Sequence, residues 1–298
     1  CIELLEDEMG LSISRAKSVT IASAKSINSR LKPSLNRRGI AVKSKVKLLG
    51  VDFSCGKRVC RSNQRSRIKA VCARLSRYKR LGKVAAGKML RTGAAPGMLY
   101  GGNVYGTPNT TIKMVRGFSC AVKGELRGRS TFARLQLAGY DAGRELAIGP
   151  IIEWAKACWD GLVDSDVLQV TWQRAQCLVA TSQRPFGQVS GPAGAMIASC
   201  MRIGWKSPSP RHFTNANGLL LDLDQVCPKQ IKLHADDDCL RLEAVKSSLA
   251  NRIGGPPDLE PLRSFITSKK ARGTPAASSL AAIGEGGWWA QERLFQEG

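Results

Sequence analysis

The stretch KVKLLGVDFSCGKRVCR, residues 45–61, divides the chain by charge. Its apolar run carries one acid, Asp52, and the next Asp or Glu is Glu125. The residues between, 53–124, hold 16 Lys or Arg and no carboxylate. Upstream, IAVKSKVKLLGVDF alternates apolar and polar residues and then turns apolar, the pattern of one or two strands. Downstream, RSNQRSRIKAVCARLSRYKRL (61–81) sets Ile68, Val71, Cys72, Leu75 and Tyr78 on one side of a helix. Arg65, Arg67, Lys69, Arg74, Arg77 and Lys79 occupy much of the rest. Such a helix docks by its stripe and presents cationic groups to phosphates.

The imbalance belongs to half of the molecule. Residues 1–134 hold 29 Lys or Arg against 6 Asp or Glu, and residues 135–298 hold 17 of each, so the first half carries the whole net charge of +23. A basic excess of this size repels itself unless an anion is present, and nucleic acid is the commonest such partner. An anionic membrane surface is the competing partner. The basic half has no Trp and few Phe or Tyr in its charged segments, whereas single-strand binders interleave stacking aromatics with cations. Backbone contact with an RNA–DNA or DNA duplex, read by shape and charge, is therefore expected.

Composition bounds the rest. With 298 residues and 43% hydrophobic content the chain suffices for one large or two ordinary domains with a packed core. No apolar run approaches the length of a membrane span, and the acidic start CIELLEDEMG lacks the plan of a signal peptide. A start at Cys suggests a processed chain or a fragment of something longer. The ten cysteines follow no regular framework, as expected of reduced thiols in a nuclear or cytoplasmic compartment.

Along the chain, residues 1–10 read as the end of a helix stopped by Gly10. LSIS and SVTIAS are strand-like, and RLKPSLNRRG reads as a basic linker. A second helical piece is expected over 83–92, a loop with one short buried piece over 93–109, and a third helix over 110–128 with Ile112, Val115, Val122 and Leu126 inward. Pro150 suits the first turn of the helix containing IIEWAKACWDGL, and Asp166 suits the cap of the next. GPAGAMIASCMRIGW reads as a small-residue helix ended by the breaker KSPSPR. GLLLDLDQVCP reads as a short strand pair or a loop, and residues 235–252 as a helix. The expected fold is α+β and mainly helical. Its regions are 1–56, 57–135 (basic and helical), 136–253 (mainly helical) and 254–298 (linker or tail).

Three groups of residues resemble a known family in order and spacing. Gly10-Leu11 with Lys17-Ser18 come first, then Lys47 with Leu49-Gly50-Val51, then Tyr100-Gly101 with Val104-Tyr105-Gly106. Together with the basic helix they resemble the end of the palm and the thumb of a non-LTR (LINE-type) retrotransposon reverse transcriptase, over roughly residues 1–135. Ser14 departs from the family's Asn, and the interval between the first and second groups is unusually long. The resemblance implies that Lys17 lies near the incoming nucleotide and that Leu49-Gly50-Val51 forms the turn holding the primer end. It implies that a helical thumb at 61–81 tracks the template–primer duplex. Implied nucleic-acid contacts are Lys17, Leu49, Gly50, Lys57, Arg58, Arg61, Arg65, Arg67, Lys69, Arg74, Arg77 and Lys79.

The family's metal-binding Asp residues precede the first of these motifs, so the complete polymerase implies Mg2+ while this chain alone is expected to bind no cofactor and to be inactive. Its partners would be the duplex and the more N-terminal polymerase part, with neither membrane nor small-molecule substrate. The alternative is a free-standing basic nucleic-acid-binding or scaffolding protein without polymerase ancestry.

Other signals are weaker. Asp236, Asp237 and Asp238 superficially resemble a catalytic acidic turn but stand far downstream of the motifs they should precede. An acidic first helical turn accounts for them better. Cys227, His234 and Cys239 lack a fourth zinc ligand nearby, and Cys55 with Cys60 have no His close by. GAAPGMLYGG lacks the ending of a phosphate loop, and two histidines give no basis for a Ser-His-Asp arrangement.

Overall fold

The computed structural model describes residues 6, 8–10, 12, 14–22, 24–55, 60–122, 130–247, 257–268 and 274–284. The fold is α+β and mainly helical, with sheets of two or three short strands. The chain clusters into two compact units, Cys1–Arg65 and Ser66–Gly298.

In the first unit, β1 (Val19–Thr20) pairs in parallel with β2 (Ala41–Val42), and helix α1 (Lys25–Arg37) connects them. The expected basic linker is thus largely helix. Ile27, Leu31 and Leu35 recur every four residues and supply the apolar side that the Arg, Lys and Pro content disguised. Pro33 lies inside this helix. Asn28 ties it down: its Oδ1 accepts from the Ala22 amide at 2.8 Å, and its Nδ2 donates to the Lys43 carbonyl at 2.9 Å. β3 (Lys45–Leu48) and β4 (Val51–Ser54) follow as an antiparallel hairpin. Only Ile40 and Cys55 are buried apolar side chains here among the described residues. The expected helix over 1–10 lies largely outside the described residues, although Gly10 takes the expected positive φ, 62°.

The basic segment is helical but broken. α2 (Ser62–Cys72) stops, and α3 (Leu75–Lys79) starts after a two-residue turn. Ile68 and Tyr78 of the expected stripe are buried, while Val71, Cys72 and Leu75 are half-buried. α4 (Lys83–Met89) runs through a π-helical turn (Leu90–Ala94) into α5 (Ala95–Leu99), and α6 (Gly102–Tyr105) follows. The Gly- and Pro-rich segment expected as a loop is therefore mostly helical. Pro96 sits in the first turn of α5, where an absent N–H costs little. α7 (Asn109–Val122) buries Ile112, Val115 and Val122 as expected, and Leu126 lies outside the described residues.

The centre of the second unit is α9 (Ala142–Trp159), which follows α8 (Thr131–Leu137). Leu146, Ile148, Ile151, Ile152, Trp154 and Ala155 bury it on nearly every side. It begins well before Pro150, at Asp141, whose side chain accepts from the Gly143 amide at 2.8 Å. Pro150 is internal, so packing outweighs the cost of an interior proline, about 3 kcal/mol. α10 (Ser165–Val179) is capped by Asp164 and not by Asp166, which falls in its first turn. Helix α11 (Pro185–Gln188) leads to α12 (Pro192–Arg202), the expected small-residue helix, which packs on α9. KSPSPR, expected as a breaker, contributes β5 (Lys206–Ser209) to a sheet ordered β5-β6-β7 with β6 (His212–Thr214) and β7 (Leu220–Asp222). α13 (Pro228–Val245) starts seven residues before expectation. Two stretches expected as linker or tail are helices, α14 (Glu260–Thr267) and α15 (Pro275–Gly284), and both pack on α8.

Candidate nucleic-acid interface

Asp52 is spent at a helix terminus. Its Oδ2 accepts from the Asn63 amide at 2.7 Å, and its Oδ1 accepts from the Ser62 hydroxyl at 3.2 Å and from the Asn63 side-chain amide. A carboxylate there satisfies open N–H groups of α2 and complements the positive end of its dipole. Asp52 stands opposite Lys47 in the hairpin register, but its oxygens are turned to α2. Among the described residues no carboxylate pairs with Lys45 or Lys47, both exposed.

The hairpin closes in two residues, Leu49 at φ 47° and Gly50 at φ 80°. Positive φ at both positions matches the right-handed twist of the flanking strands. Glycine adopts it freely, whereas leucine holds it at a cost of about 1–2 kcal/mol. The Leu49 side chain is 82% exposed at the tip. Of the turn implied at Leu49-Gly50-Val51, Leu49 and Gly50 form it and Val51 already belongs to β4. Lys17 sits in a separate exposed turn, its amide bonded to the Ser14 carbonyl at 3.0 Å.

On α2 and α3, Arg65, Lys69, Arg74, Arg77 and Lys79 are exposed, and none of them pairs with a carboxylate among the described residues. The absence of acids from 53–124 is the reason. Arg67 is different: its Nη2 donates to the Tyr100 carbonyl at 2.7 Å, and its guanidinium lies 5.1 Å from the centre of the Tyr100 ring. It ties α2 to the end of α5 and is committed to the fold. Arg61 is half-buried, and Lys57 and Arg58 lie outside the described residues. Arg80 and Lys88 are also exposed, and a simple count of charge along the segment would have included them.

The third motif group is structural here. Gly101 (φ 77°) and Gly106 (φ 62°) bracket α6. A Cβ on Gly106 would fall 2.9 Å from the Phe186 ring, and Asn103 fits only because Gly149 of α9 lacks one. Arg202 stacks on Phe186 at 4.0 Å and donates to the Thr107 and Ala147 carbonyls and the Asn109 side chain. Burial pulls its pKa down to about 10, which leaves it charged at neutral pH.

The acids of the second unit are engaged in its packing. Asp236, Asp237 and Asp238 lie inside α13 rather than in its first turn. Asp238 is buried and accepts from the Trp205 indole at 2.7 Å, while Asp236 accepts from Lys232 at 2.7 Å. Arg116 of α7 joins Asp141, at 2.9 Å, to Glu243 of α13. Cys239 donates to Glu243 at 3.3 Å, and burial pushes its thiol pKa up. Cys227 begins α13 and Cys239 lies twelve residues on, about 18 Å along the axis, too far apart to share one ion. No cluster of three His, Cys, Asp or Glu suited to a metal occurs among the described residues.

One trio escaped sequence reasoning. Ser209, His212 and Asp222 align across β5, β6 and β7, with 2.7 Å from Ser209 Oγ to His212 Nδ1 and 3.9 Å from His212 Nε2 to Asp222. The second distance exceeds a hydrogen bond. The Ser209 hydroxyl also accepts from the Arg211 amide at 3.3 Å, so the trio is a cross-strand polar contact.

No protein-family model matches the chain, and neither the curated proteins nor the solved structures include a significant match. Among the described residues no helix is long and apolar enough to cross a membrane.

Proposed function

We propose that the chain is the thumb-side part of a LINE-type reverse transcriptase and holds the template–primer duplex by its backbone, without sequence preference. The carrying observation is the exposed set Arg65, Lys69, Arg74, Arg77 and Lys79, which has no carboxylate partner among the described residues. The one nearby acid, Asp52, is occupied at the end of α2. The tight Leu49-Gly50 turn, at the position where the family resemblance puts a primer-holding turn, supports the same reading. Catalysis would belong to the metal-binding carboxylates of the polymerase outside this chain. A nuclear or cytoplasmic site of action follows from the reading, and the described cysteines are free thiols.

The test is duplex binding across salt concentrations. Replacing Arg65, Lys69, Arg74 and Arg77 with Gln should weaken binding equally for unrelated duplexes. It should also flatten the log–log salt slope by about 0.9 per lost phosphate contact. Arg67→Gln should instead loosen the Tyr100 tie and leave that slope nearly unchanged. Wild-type affinity in the quadruple variant would remove α2 and α3 from the interface.

A further inference from the structure

Residues 9–51 carry ten Lys or Arg and no Asp or Glu. Much of that charge lies on α1, within the interval that is unusually long for the family. Lys25 and Lys32 form one row seven residues apart, and Arg30 and Arg37 form another. Seven residues are two helical turns, about 10.5 Å along the axis. All four side chains are exposed, and none has a hydrogen bond or ion pair through its side chain among the described residues. Among the described residues no acid of the unit pairs with them. Glu6 is paired with Arg15 at 3.1 Å, and Asp52 serves α2.

We infer that α1 is a second phosphate-binding surface, on a compact unit separate from α3, which contacts the duplex backbone. The inference rests on the duplex-binding reading above and adds a site to it. The chemistry selects a nucleic-acid backbone. Residues 1–65 contain no Trp or Tyr and a single Phe, so no stacking platform accompanies the cations. A membrane-adsorbed helix needs a broad apolar face turned outward. On α1 the apolar residues Ile27 and Leu31 are exposed at 41% and 37%, and Leu35, on the side of buried Asn28, is half-buried, so the outward apolar surface is a narrow stripe and not a broad face. The outermost face carries Arg30 and Arg37. Pinning by Asn28 holds the helix ready before any ligand arrives.

The experiment compares the full chain with a variant carrying Lys25→Gln, Arg30→Gln, Lys32→Gln and Arg37→Gln, and with the α2–α3 variant above. Binding to two unrelated 20-base-pair duplexes and to vesicles of phosphatidylserine and phosphatidylcholine is measured across salt, with circular dichroism for folding. The α1 variant should lose at least about 1.8 units of duplex salt slope, two contacts' worth, for both duplexes. In the unmodified chain, acetylation of Lys25 and Lys32 should slow at least fivefold with bound duplex, a readout that stands even if the variant misfolds. Unchanged slope and unchanged acetylation, with the α2–α3 variant still impaired, would overturn the inference and spare the function it rests on. Loss of vesicle binding with duplex binding intact would overturn it in favour of a membrane. If neither variant alters duplex binding, both readings fail.

Discussion

Leu49 holds a left-handed backbone at the hairpin tip while exposing most of its side chain. Little burial offsets its strain, and Asn tolerates the same conformation better. Leu49→Asn should therefore raise the stability of the hairpin by about 1 kcal/mol, measured as slower hydrogen exchange across Lys45–Ser54. No change would mean that the leucine gains as much from contacts as its backbone loses. The turn was implied by the family resemblance, whereas the residues by themselves read as one or two strands. The role of Asp52 was not legible. Its oxygens go to residues ten and eleven positions on, a contact that exists only once the hairpin has brought β4 to the start of α2.

At the scale of elements, α9 illustrates packing against propensity. Pro150 and the small residues before it argue for a helix start, yet the helix runs through them because its surface is buried nearly all round. The approach of α6 to α9 depends on Gly149, where a Cβ would stand 2.2 Å from Asn103 Oδ1. Gly149→Ala should cost about 1–3 kcal/mol as an overpacked contact. Adding Asn103→Ala should recover most of that loss in a chemical denaturation series. Failure of the rescue would show that the cost lies elsewhere in α9. The same competition explains the other misplaced elements. α1 was obscured by its charge and Pro33, and β5 by Pro208 within it and Pro210 just after it, local signals overruled by the partners each element meets in the fold.

The two units differ as whole objects. Ser66–Gly298 is built around a buried central helix, whereas Cys1–Arg65 has Ile40 and Cys55 as its buried apolar side chains among the described residues and an excess of like charges. Its stability should depend on screening, since exposed charges separated by more than about 8–10 Å cease to interact strongly near physiological salt. Hydrogen exchange of Lys45–Ser54 should slow as NaCl rises from about 20 to about 300 mM, while the amides of α9 stay unchanged. Equal responses in the two units would contradict that contrast.

The sequence alone determined the division of charge, the helical character of 61–81 and 110–122 and the mainly helical class. These follow from residue type and spacing, which act over a few positions. Tertiary structure decided which prolines lie inside helices, which carboxylates cap or pair, and that the last segments dock as helices. It also separated Arg67, spent on Tyr100, from neighbouring cations identical in composition. Arg116 meets Glu243 across 127 residues. No local period encodes such a partner, because the free energy that selects it comes from burial shared by elements that meet only in the folded chain.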